Sequence, residues 1–172
     1  MDEKQMLLTM INMQKELDKA ILESKGLEWN NSKCNIENLQ LALLDEIGEL
    51  THELKSEWCW WKATQPKVDR ERVLEELVDI WHFAMAWLYR DVGNGSVEIV
   101  AETILDDSLD YSSYLDTFKM TLVLAVELRY EAFSFMKFLI LFSRSLGFQI
   151  EDVYNAYIKK NKVNYERLKT GY

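Results

Sequence analysis

Four carboxylates in this sequence have the type and spacing of a metal site: Glu46 and Glu49 in "DEIGELTHEL", and Glu76 and Asp79 in "EELVDIWHF". At roughly 100° per helical residue, positions three apart share a stripe. In the first stretch Leu43, Leu44, Ile47, Leu50, Leu54, Trp58 and Trp61 form an apolar face, with Glu46, Glu49 and Glu53 along its edge. In the second, Leu74, Leu77, Val78, Trp81, Met85 and Leu88 form the face, with Glu76, Asp79 and Phe83 beside it. Packed antiparallel, the two helices would gather four carboxylates at one partly buried point, where like charges repel and lose hydration. A divalent cation relieves both costs, and an oxygen-only ligand set suits Mg²⁺ or Mn²⁺ rather than zinc. Either pair alone reads as a solvated acidic edge. The same offset on consecutive helices favours the metal.

The two histidines allow a rival chemistry. Glu49-x-x-His52 and Asp79-x-x-His82 imitate the carboxylate-x-x-His spacing of di-iron bundles, with Glu16, Glu127 or Glu131 available to complete the set. Two polar ends flank the acids. Gln14 lies on the edge of an apolar face with Asp18 one turn on, and its amide either caps a neighbouring helix or reads the edge of a planar ligand such as a nucleobase. Lys160, Asn164 and Arg167 share a face of the last helix, and Asn161 sits among Tyr154, Tyr157, Ile158 and Leu168. That basic face is either a solvated one that suits the helix dipole or a grip on a charged, oxygen-rich ligand such as polyphosphate bridged by Mg²⁺.

The elements that must hold these residues are helices. One proline and six glycines in 172 residues leave little punctuation, and apolar residues recur at helical spacing. The expected fold is all-α: one domain over residues 1–172, a bundle of about five to seven helices around the carboxylates. Helices are expected over about 3–25, 36–61, 69–90 with Asp69 as N-cap, 96–106, 112–146 as one or two helices, and 150–169, with loops at 26–35 and 91–95. With 48% hydrophobic and 12% aromatic residues the chain can bury a sizeable core. A net charge of −9 argues against a nucleic-acid polymer as partner. The longest apolar run, 132–142, is too short to cross a bilayer and contains Lys137, so no membrane partner is expected. The amino terminus lacks the order of a signal peptide, and the expected location is cytoplasmic, with Cys34 and Cys59 as reduced, unreactive thiols.

The "EIGEL" and "EELVDIWHF" motifs resemble the ExxE and ExxD motifs of the all-α nucleoside triphosphate pyrophosphohydrolases. With "MQKELD", "GLEWNN", "SEWCWWK" and "YIKKNKVNYERLKTGY", the sequence resembles the dimeric all-α dUTPases over about residues 6–172. The resemblance implies hydrolysis of dUTP to dUMP and pyrophosphate, with Mg²⁺ held by Glu46, Glu49, Glu76 and Asp79, and with Glu46 orienting or deprotonating the attacking water. It also implies that Phe83 stacks on uracil, His82 meets the deoxyribose 3′-hydroxyl, Gln14 reads the uracil edge, and Trp61 and Lys62 lie near the ligand. Lys160, Asn161, Asn164 and Arg167 match the phosphate-gripping motif, and the partner is a second copy of the chain in a homodimer. Asp18 departs from the pattern, standing where some members carry Asn. The alternatives are a MazG-type or dCTP-type pyrophosphohydrolase, the di-iron bundle, and a non-catalytic nucleotide-binding helical protein.

Overall fold

A computed structural model describes residues 1–29, 31–92, 97–105 and 132–171. Among the described residues the elements are α1 (Glu3–Lys25), α2 (Ile36–Glu53), α3 (Lys55–Trp58), α4 (Arg70–Val92), α5 (Val97–Ile104), α6 (Ala132–Ser145) and α7 (Ile150–Thr170), with a 3₁₀ turn at Ser32–Cys34. Among the described residues there is no strand, and the all-α expectation holds. Residues 106–131 lie outside the described set, and with them most of the helix expected at 112–146, Glu127, Glu131 and the loop positions 93–95.

Local chemistry sets the helix ends. Asp2 accepts from the Gln5 amide at 2.7 Å to open α1, Asn35 accepts from Asn38 at 3.0 Å to open α2, and Asp69 accepts from Glu71 at 3.0 Å to open α4, as its position suggested. Helix α1 closes on Gly26, whose left-handed φ of 61° lets the Leu27 amide reach back to the Leu22 carbonyl. The helix expected over 36–61 breaks at Leu54. There the Trp58 indole Nε1 donates to the Thr51 carbonyl at 3.0 Å, satisfying a last-turn group that an uninterrupted helix would have used itself. The chain beyond Trp58 turns outward, so Trp61 leaves the apolar face expected for it and is 59% exposed, with Trp60 at 88%.

Helix α4 is the hub, packing on α1, α2, α6 and α7. Trp81 is fully buried at that junction, and its Nε1 donates to Ser143 Oγ on α6 at 3.1 Å, while Ser143 donates to the Leu139 carbonyl at 2.7 Å. The α6 residues Phe135, Met136, Leu139, Ile140 and Phe142 are buried in this same core. The start of α4 is clamped to the α6–α7 corner by Arg70, which donates to the Leu146 and Gly147 carbonyls at 3.2 and 3.4 Å and covers the Phe148 ring.

Helices α2 and α4 run antiparallel, and their charged residues show the register. Glu53 near the end of α2 meets Arg72 near the start of α4 at 2.9 Å, and one turn further in, Glu49 meets Glu76. Glu46 lies next along α2, in the field of Asp79. The residues at this seam are therefore the acidic stripes, with Glu53 occupied by an arginine.

Candidate active site

Glu46, Glu49 and Glu76 each place a carboxylate oxygen within 4.8 Å of the others. The expected set of four is thus three glutamates in one cluster, with Asp79 beside them and held by Lys160 of α7, whose Nζ donates to Asp79 Oδ2 at 2.6 Å. Burial first, then the neighbouring Asp79, Glu49 and Glu76, push Glu46 up to about 7. Burial, then Glu49 and Asp79, raise Glu76 as well, against the lowering effect of Lys160. Burial also raises Asp79, which Lys160 offsets only in part. Against the lowering effect of its own burial, the Asp79 carboxylate keeps Lys160 above the usual lysine range, hence charged. Glu49 and Glu76 lie side by side, and the Glu49 carboxylate helps to raise Glu76. A hard divalent cation would relieve that repulsion, and the all-oxygen donors fit Mg²⁺ or Mn²⁺.

Beside the cluster opens a cavity of about 360 Å³, walled by Gln14 and Asp18 of α1, Glu46 of α2, Asp79, His82 and Phe83 of α4, and Lys160, Asn164 and Arg167 of α7. Nine residues singled out in the sequence, drawn from four helices, thus meet on one surface. Behind it runs a chain of hydrogen bonds. Gln14 Nε2 donates to Asp18 Oδ1 at 2.7 Å, and Gln14 Oε1 faces His82 Nδ1 at 2.6 Å and accepts from the Tyr157 hydroxyl at 3.0 Å. Tyr89 donates to the other Asp18 oxygen at 2.7 Å, and Asn161 donates to the Tyr157 oxygen at 3.3 Å. The His82 ring stacks on Tyr157 with centroids 4.4 Å apart, and its Nε2 is buried with no hydrogen-bond partner among the described residues. Burial, aided by the Lys160 charge, lowers His82 to about 3, so its imidazole is neutral.

An acidic cluster against a cavity with an aromatic face, an unpartnered imidazole nitrogen and a cationic wall is suited to a nucleotide polyphosphate. A family model described as dUTPase matches residues 6–172. The chain belongs to this dUTPase family. No curated protein matches its sequence.

The dUTPase motifs do not all converge. Trp61 and Lys62 are exposed and lie outside the cavity wall, on the corner that follows the Leu54 break. Asn161 turns inward to Tyr157 and is 3% exposed. Leu17, Ile21, Lys25 and Leu168 line the cavity without having been singled out. For the first three the signal was available, since they continue the Gln14 and Asp18 stripe at helical spacing. Tyr89 and Tyr157 were unmarked as site residues because a tyrosine on an apolar face ordinarily reads as core. The di-iron arrangement gains nothing from the geometry. His52 is exposed, Glu53 is paired with Arg72, and His82 turns its Nδ1 to Gln14.

Proposed function

We propose that this dUTPase-family chain hydrolyses dUTP to dUMP and pyrophosphate with Mg²⁺, or Mn²⁺ in its place. The observation that carries the reading is the three-glutamate cluster at the edge of a cavity whose other walls are His82, Phe83 and the α7 cations. Glu46, Glu49, Glu76 and Asp79 would hold the metal, which when bound would supply positive charge to the phosphoryl oxygens. Glu46 is the one member of the close cluster that also lines the cavity, so we assign it to orienting the attacking water. Water adds across the α,β-phosphoanhydride: its oxygen bonds to phosphorus, its proton is accepted in the site, and pyrophosphate leaves. Lys160 and Arg167 face the charge that builds on the departing group, with Asn164 between them on the same wall. Phe83 offers its ring to the base, and His82 Nε2, buried at the cavity wall without a hydrogen-bond partner among the described residues, would accept from a sugar hydroxyl once a ligand is seated.

Trp61 and Lys62 would reach the nucleotide only by an inward movement of their corner, which would make them contributors to KM. The proposed partner is a second copy of the chain, checked by light scattering in solution. A panel of nucleoside triphosphates assayed for pyrophosphate with Mg²⁺ tests the substrate. dUTP is expected to be turned over best, at least about tenfold above dCTP in kcat/KM. A preference for dCTP or for noncanonical nucleotides would overturn the uracil assignment and leave the pyrophosphohydrolase chemistry in place.

A further inference from the structure

Gln14 is the residue whose polarity decides what the α1 wall of the cavity can recognise. A glutamine amide is ambiguous, because turning it end over end exchanges a carbonyl acceptor for two donor hydrogens. Here the ambiguity is removed from one side. Asp18 accepts a hydrogen bond from Gln14 and another from Tyr89, and an ionised carboxylate can only accept. The Gln14 nitrogen must therefore face Asp18, and its oxygen must face His82 and Tyr157. That oxygen has two lone pairs and two partners, so His82 Nδ1 carries the hydrogen and His82 Nε2 is left as a bare acceptor. One Gln14 N–H remains.

We infer that Asp18 is a specificity-determining positioning residue: by fixing the Gln14 amide it leaves one Gln14 N–H and one His82 lone pair uncommitted at the cavity wall. This rests on reading the cavity as a nucleotide site. A lone donor at Gln14 matches the 4-oxygen of uracil and opposes the 4-amino group that cytosine carries there. A lone pair at His82 requires a ligand group that donates, such as a sugar hydroxyl. Burial raises Asp18 to about 6 while its hydrogen bonds pull the other way, so it remains mostly ionised at neutral pH and keeps its acceptor role. The neutral state of His82 fits the same arrangement.

The tautomer can be read without substrate. The chain has only two histidines, and His52 is exposed, so ¹⁵N–¹H long-range correlation spectra distinguish them readily. The wild-type chain is expected to show His82 protonated on Nδ1. Asp18→Leu, which cannot accept, is expected to release Gln14, move His82 toward the Nε2-protonated form and lower the dUTP-over-dCTP ratio of kcat/KM by about tenfold or more. Asp18→Asn can still accept from Gln14 through its own carbonyl and should restore both the tautomer and most of the ratio. His82 protonated on Nε2 in the wild type overturns the inference, whether or not Asp18→Leu folds. Unchanged tautomer and unchanged base preference in a folded Asp18→Leu also overturn it. A wild type that hydrolyses neither nucleotide refutes the proposed function instead, while the spectra still judge the Asp18 relay.

Discussion

Glu46 is half-buried among four acidic neighbours, Asp79, Glu49, Glu76 and Asp45, all of which raise it. Glu46→Gln keeps the shape and removes the charge. If it holds metal and water as proposed, kcat should fall by about a hundredfold or more with melting temperature unchanged or raised, measured by pyrophosphate release and calorimetry. A variant that stays active would exclude that role. Gly147 is a second residue whose identity is dictated by geometry. Its φ is +83°, and a Cβ there would lie 3.3 Å from the Arg70 guanidinium that clamps α4. Gly147→Ala should cost about 1–2 kcal/mol in chemical denaturation, from the left-handed backbone alone.

At the scale of elements, the α2–α4 seam explains why acids sit where apolar residues might have packed. Glu53–Arg72 is half exposed and contributes on the order of 0.2–1 kcal/mol, enough to favour this register without dominating stability. Glu53→Gln is therefore expected to leave Mg²⁺ affinity within about twofold of wild type by isothermal titration, since its carboxylate belongs to Arg72; a large loss would return Glu53 to the ligand set. Gly48 lies on the exposed side of α2 with open space where a Cβ would go and without a positive φ. Gly48→Ala should accordingly stabilise the metal-free chain by about 0.5–1 kcal/mol in denaturant titration, through the reduced freedom of the unfolded state. The acidic stripes and the capping residue Asp69 were legible because helical periodicity and N-cap chemistry are local. The break at Leu54 was not, because it depends on one indole reaching back seven residues to a carbonyl.

For the molecule as a whole, the raised carboxylates couple stability to pH. Glu46 titrates at about 7 when folded against 4.5 as its ordinary value. Between those values the folded chain keeps a proton that the unfolded chain has released, so the metal-free fold loses stability as pH rises through that window and levels off above it. Mg²⁺ binds the deprotonated cluster and should stabilise more as pH rises. Melting curves between pH about 5 and about 8, with EDTA or with Mg²⁺, should therefore diverge toward high pH; parallel curves would argue against metal at the glutamates. Among the described residues no single helix is long and apolar enough to cross a membrane.

The all-α class, the two acid pairs and the polar stripes on α1 and α7 were readable from the chain alone, because each is written in the spacing of residues along one helix. Which of those residues share a surface emerged from the packing of the helices. Bringing Gln14, Glu46, His82 and Lys160 to one cavity needs four helices in a fixed arrangement around α4, and no periodicity within one helix encodes that arrangement. The same holds for Asp18, whose significance comes from partners on its own helix and on α4, and for Lys160, which meets Asp79 across eighty-one positions of sequence.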